Sequence, residues 1–155
     1  MRDRGRPFPS KGGREPPGLP QGYLQGGYFQ SDGKSLRREV IVDWAEEIAR
    51  ALGDSRPEMT YTQLRRFYNK TLSIKQKLET GSQFPELVSE LLTLKRDAAD
   101  SVGKENAPQL FKEFIDRNVD CAVKGKDDFK KGFLQHFQSV VAYKRYWEYK
   151  KKGRR

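Results

Sequence analysis

From Leu36 to Trp147 apolar residues return every three or four positions, and Gly53, Gly81, Gly103 and Gly125 cut that run into segments of helical length. Strict alternation never replaces this period, so a sheet is not expected. Each segment presents one apolar stripe, and a single stripe is stable only when it packs against others.

The first stripe is Leu36, Val40, Trp44, Ile48 and Leu52, with Ser35 placed to cap it. The second opens on a capping box, T-x-x-Q from Thr60 to Gln63, with Met59 and Leu64 as the accompanying hydrophobic staple. It should run to about Thr80. A third helix starts near Pro85, a favoured first-turn residue, and carries Leu87, Leu91, Leu94 and Ala98 toward Gly103. Pro108 opens a fourth, with Leu110, Phe111, Phe114, Ile115, Ala122 and Val123. The fifth starts near Asp127 and runs through Phe129, Phe133, Phe137, Val140 and Trp147. The expected fold is all-α, a compact five-helix bundle spanning residues 35–150. A core of this size also leaves room for completion by a second copy of the chain.

Residues 1–34 hold eight of the 14 glycines and five of the eight prolines, with few aliphatic side chains. Such a segment cannot offset its ordering entropy by burial, and it reads as a disordered basic leader. Its Tyr23, Tyr28 and Phe29 remain available to stack on a base or a partner, although a tail without defined contacts is the plainer reading. Residues 151–155 read as a basic tail. Six cations face three acids in 1–34 and seven face one in 144–155, whereas 35–143 carries eighteen against seventeen. The net charge of +10 therefore sits at the two ends and points to an acidic partner, most often nucleic acid.

Catalytic chemistry finds little support. His136 is the single histidine and lies at the edge of the fifth stripe, where a packed, hydrogen-bonded imidazole is expected. Cys121 is the single cysteine and reads as a small core residue in a reducing, cytoplasmic setting. One His and one Cys do not make a zinc site. Asp97 and Asp100, three apart on one face, are the sole pair worth weighing for Mg²⁺, and solvated acids are the simpler account. No phosphate-cradle motif occurs. The chain is expected to be no enzyme, to need no cofactor, and to avoid the membrane, since no run approaches the roughly 20 apolar residues of a span.

The second helix carries the sharper signal. At 100° per residue, Tyr61, Leu64, Phe67, Tyr68, Thr71, Leu72, Ile74 and Leu78 occupy one arc, while Arg66, Lys70, Ser73 and Lys77 step along the opposite ridge. Arg65 falls on the boundary. Lys75 falls inside the apolar arc, as it would if the last turn left the core. Three cations on one ridge, with Glu79 as the helix's sole acid, repel one another and suggest an external anion. An ordinary solvated basic face is the alternative. Lys95 and Arg96 add charge to the third helix. The segment AYKRYWEYKKKGRR from Ala142 interleaves aromatics and cations, a pattern suited to RNA. Trp147 continues the core stripe there, so Tyr146 and Tyr149 are the better exposed candidates.

Three blocks carry a family resemblance: T-x-x-Q-L-R-R-F-Y at Thr60–Tyr68, L-L-T-L-K-R-D-A-A at Leu91–Ala99, and F-x-x-H-F-x-S-V-V-A-Y-K-R-Y at Phe133–Tyr146. In order and spacing they resemble the small, all-helical subunit of the Csm complex, the type III-A CRISPR–Cas effector, over roughly residues 36–150. Asp97 departs from the family pattern, which has an apolar residue there, and the usual basic residue after the paired alanines is missing. The resemblance implies a non-catalytic subunit that stacks with further copies of itself beside the other Csm subunits. It also implies a groove lined for crRNA and target RNA, in which basic residues grip the nucleic-acid backbone.

Carried onto this chain, the resemblance makes Arg65 and Arg66 RNA or subunit contacts, with Lys144 and Arg145 as further candidates. Lys70, Lys77, Lys95 and Arg96 come from the charge pattern. A homodimer in isolation is compatible with the same reading. The competing readings are a general nucleic-acid binder, ribosome-associated or DNA-binding, and a protein-interaction adaptor whose basic face meets an acidic partner.

Overall fold

The computed structural model describes residues 17–153. Five α-helices follow one another: α1 (Trp44–Asp54), α2 (Tyr61–Glu79), α3 (Phe84–Gly103), α4 (Gln109–Ala122) and α5 (Leu134–Gly153). Short π-helical segments, Glu39–Asp43 and Asp128–Phe133, lead directly into α1 and α5. The expected all-α bundle is the observed fold.

The starts and stops have local causes. At α2 the Thr60 hydroxyl accepts the Gln63 N–H at 3.2 Å and the Gln63 side chain accepts the Thr60 N–H at 2.8 Å, closing the capping box. Gly81, at φ +122°, ends that helix in a conformation closed to other residues. Gln83 and Glu86 form a second reciprocal cap at α3, with Pro85 in its first turn. Ser35 does not cap the first helix. Its N–H and hydroxyl instead donate to the Asp32 carboxylate at 2.8 and 2.7 Å, which holds residues 32–35 in a turn and delays the helix.

At the end of the chain, α5 continues through Lys151, Lys152 and Gly153. The helix thus runs three residues past the expected boundary at 150.

Helix α5 is the axis of the bundle. Helix α1 runs parallel to it, Val40 lying beside His136 and Gly53 beside Lys151. Helix α2 packs on α5 in the opposite direction, and α3 lies against α2 and α4. The centre is aromatic. Phe67 meets Phe111 edge-on at 4.6 Å, and Phe137 meets both Tyr68 and Phe114 at 5.3 Å, so α2, α4 and α5 share one cluster. Fully burying each ring contributes roughly 2–3 kcal/mol.

The stretch from 17 to 34 departs from the leader expected for it. Tyr23 and Tyr28 are each 1% exposed, and their hydroxyls enter a buried network. The Tyr23 hydroxyl lies 2.7 Å from His136 Nε2 and accepts from Asn118 Nδ2 at 2.8 Å, while the Tyr28 hydroxyl donates to Asn118 Oδ1 at 2.8 Å. His136 Nδ1 lies 2.7 Å from the Val40 carbonyl. That carbonyl only accepts, so Nδ1 carries the proton and Nε2 accepts from Tyr23. Asn118 spends its second N–H on the Phe114 carbonyl, so each side-chain group of the network has a partner.

Two further contacts fasten the strap. The Arg117 guanidinium donates to the Tyr23 carbonyl at 2.8 Å, and Tyr28 lies so close to Gly132 that a Cβ there would fall 2.7 Å from its Cγ. Two aromatic rings and their polar tips thus provide the burial that the Gly/Pro-rich composition seemed to deny. Residues 1–16 of the expected leader, and Arg154 and Arg155 of the expected tail, lie outside the described residues.

Candidate nucleic-acid interface

The basic end of α5 is organised around one inward pair. Lys144 is 2% exposed and its ammonium donates to Glu148 at 2.8 Å. The same carboxylate oxygen accepts the N–H of Tyr61, the first residue of α2, at 2.7 Å. That N–H belongs to the helix's first turn, where backbone donors lack an intrahelical partner, so Glu148 fills a capping role from another helix.

The charges match both helix ends. The carboxylate sits at the positive start of α2, and the Lys144 ammonium lies by Gly53, near the negative end of α1. Burial pushes the Glu148 carboxyl up. The hydrogen bonds from Lys144 and Tyr61, with the charges of Lys144 and Lys151, outweigh burial and hold it below its ordinary value.

Lys144 is therefore not an open RNA contact. It lies four residues after Val140 on the buried side of α5, and its head is committed to Glu148. Arg145, one position on, points outward with its guanidinium 4.9 Å from the Tyr61 ring centre.

Arg65 lies one turn beyond Tyr61, its guanidinium 5.6 Å from the Tyr68 ring, and Arg66 is exposed beside it. None of these three arginines forms an ion pair with a described acid. Lys150 and Lys152 continue the same end of α5, also unpaired among the described residues. Tyr146 and Tyr149 lie between Arg145 and Lys150 in sequence, 46% and 71% exposed. Trp147 is half-buried, with the Arg50 guanidinium 4.3 Å from its ring centre.

The ridge on α2 is not the uncompensated row that a helix read alone suggests. Lys70 pairs with Asp97 at 3.2 Å and Lys77 with Glu90 at 2.9 Å, both acids coming from α3. On α3, Lys95 reaches Asp120 of α4 at 2.7 Å, and Arg96 contacts Asp97 at 3.3 Å. Lys75, the exception inside the apolar arc, is half-buried with its ammonium 3.8 Å from Glu79. Pairs this exposed contribute about 0–1 kcal/mol, so the cations are compensated but loosely held.

Other candidate chemistry is engaged elsewhere. His136 is fully buried, and desolvation lowers its pKa from 6.5 to about 4 against the opposing pull of the Val40 hydrogen bond. Cys121 is a half-buried free thiol pushed up by desolvation. Asp97 faces Lys70 and Arg96, and Asp100 pairs with Lys104 at 2.9 Å. Among the described residues no three His, Cys, Asp or Glu side chains cluster as metal ligands, and no helix is long and apolar enough to cross a membrane.

Of the eight basic candidates, Arg65 and Arg145 lie over the rings of Tyr68 and Tyr61 and Arg66 is exposed next to Arg65 in sequence, all three without an ion pair among the described residues. The structure engages Lys70, Lys77 and Lys95 in cross-helix ion pairs, sets Arg96 against its neighbour Asp97, and turns Lys144 inward. Lys150 and Lys152 add unpaired charge among the described residues of α5, whereas Lys151 between them reaches Glu58 and the Gly53 carbonyl, a division that a run of terminal lysines does not reveal.

Neither the curated proteins nor the solved structures show a significant match to the chain. A family model described as Csm2 Type III-A matches residues 35–150, three-quarters of the sequence and all of the five-helix body but the last turn of α5. A match over so much of the chain settles its family: the chain belongs to the Csm2 family, the small subunit of the type III-A Csm complex of CRISPR–Cas.

Proposed function

We propose that this subunit holds the crRNA–target RNA of its complex by the nucleic-acid backbone, through the patch formed by Arg65, Arg66 and Arg145, and that it performs no chemistry itself. The observation carrying this reading is the pairing pattern. Most cations on the α2–α3–α4 side have a carboxylate partner, whereas Arg65, Arg66 and Arg145 have none among the described residues. Arg65 and Arg145, lying on aromatic rings, are partly held in place while their N–H groups remain available, an arrangement suited to phosphate.

Lys70, Lys77, Lys95 and Arg96 serve as a second rank. Each can exchange its exposed carboxylate for a phosphate at little cost, since the pairs contribute so little. Backbone contacts of this kind are steeply salt dependent and indifferent to sequence.

The test is charge reversal of Arg65, Arg66 and Arg145 in the assembled complex, with target-RNA capture measured beside helicity. Capture should weaken while the bundle stays folded. Unchanged capture by a folded triple variant sinks the proposal, and assembly that survives nuclease treatment without bound RNA favours the adaptor reading.

A further inference from the structure

We infer that Tyr146 and Tyr149 form a stacking site for unpaired nucleobases at the C-terminal end of α5. The inference rests on the RNA-backbone reading above and adds a second class of contact to it.

These two rings are among the few large apolar side chains left open on the described surface, at 46% and 71% exposure. Three residues apart on a helix, they stand on the same side, one turn from each other. Tyr146 is supported from behind. Its ring meets Trp147 edge-on at 5.3 Å, and Trp147 is itself held against the Arg50 guanidinium at 4.3 Å. A supported ring with an open face loses little freedom when a flat partner arrives.

The electrostatic setting selects that partner. The only acid between Arg145 and Lys152 is Glu148, and its carboxylate is tied to Lys144 and to the N–H of Tyr61. The outward surface around the rings therefore carries Arg145, Lys150 and Lys152 with no exposed carboxylate from the same turns. Protein–protein interface cores are depleted in lysine, whereas single-stranded nucleic-acid sites combine cations for the backbone with aromatic faces for the bases. Bases inside an A-form duplex do not present their faces, so the ligand is an unpaired stretch of RNA.

The experiment compares the full chain's affinity for a short oligoadenylate with that for an abasic ribose-phosphate oligomer of equal length, by fluorescence anisotropy. Both carry the same phosphates, and only the first can stack. The wild-type chain should prefer oligoadenylate by about tenfold or more. The double variant Y146L/Y149L should bind the two oligomers equally, at the abasic level, and Y146F/Y149F should restore the preference.

A leucine variant that keeps the preference, or a wild-type chain that has none, overturns the stacking site and leaves the backbone reading standing. A wild-type chain that binds neither oligomer, alone or in the assembled complex, overturns both. If the leucine variant instead loses assembly with the other subunits while the base preference is intact, the rings belong to a protein contact and the inference fails.

Discussion

The phenol of Tyr23 and the imidazole of His136, 113 positions apart in the chain, lie 2.7 Å from each other inside the protein. This contact, with Asn118 as the third member, joins the strap before the first helix to α4 and α5. It turns a segment that looks like a tail into part of the core. Tyr23→Phe keeps the ring but leaves His136 Nε2 without a donor and an Asn118 N–H without an acceptor. Leaving buried polar groups unpaired costs about 1–3 kcal/mol. The urea midpoint should fall accordingly with its slope unchanged, and an unaltered midpoint would show that water replaces the hydroxyl.

Folding lowers the pKa of His136 from 6.5 to about 4, so as the pH drops the unfolded chain takes up a proton before the folded one does. The contribution of the neutral imidazole is intact above pH 6.5, shrinks as the pH falls toward 4, and amounts to a loss on the order of 3 kcal/mol. Glu148, held below its ordinary value, adds a further loss in the same direction once the pH passes under the usual carboxylate range. Stability measured by urea denaturation between pH 7 and pH 4 should decline. In His136→Gln the part of that slope lying above the carboxylate range should flatten, and an unchanged slope there would assign the effect to other groups.

Gly132 is needed for space. A methyl group there would sit 2.7 Å from Cγ of Tyr28, against a ring fixed by its hydrogen bond to Asn118. Gly132→Ala should destabilise by about 1–3 kcal/mol, as overpacked cores do. Pairing it with Tyr28→Ala, which removes the obstructing ring, should give less than the sum of the two single effects. Simple additivity in that cycle would contradict the contact.

Lys144 and Arg145 are neighbours in sequence with opposite duties. Lys144→Ala removes the partner of Glu148 and should cost about 2 kcal/mol of stability, while RNA affinity per folded molecule stays close to wild type. Arg145→Ala should cost no more than about 0.5–1 kcal/mol of stability, the scale of an exposed cation–π contact, and should weaken RNA binding. Thermal unfolding and RNA titration of both variants check the division. The reversed pattern would show that the lysine, not the arginine, reaches the ligand.

The bundle was legible because its helices announce themselves locally. The T-x-x-Q box at Thr60, Pro85 and Gly81 each act within a turn of the residues they punctuate, so their effect can be read in order along the chain. The strap was not legible, since its stability comes from His136 and Asn118, about ninety or more positions away. The α2 ridge misled for a similar reason: its compensating acids, Asp97 and Glu90, belong to α3. Asp97 lies against both Lys70 and Arg96.

Lys144 did carry a readable signal. It lies four residues after Val140 and seven after Phe137, inside the apolar stripe of α5, where a buried lysine requires a partner.

On the function proposed above, the arginines of α2 and α5 that have no ion-pair partner among the described residues hold the RNA backbone. The most direct measurement is the salt dependence of target-RNA affinity for the assembled complex, wild type against Arg65→Gln, Arg66→Gln and Arg145→Gln combined. Each lost phosphate contact lowers the slope of log K against log salt by about 0.7 for single-stranded RNA. A triple variant whose slope is shallower by about 2 would match three contacts. An identical slope, with the complex fully assembled, would place the RNA on another face.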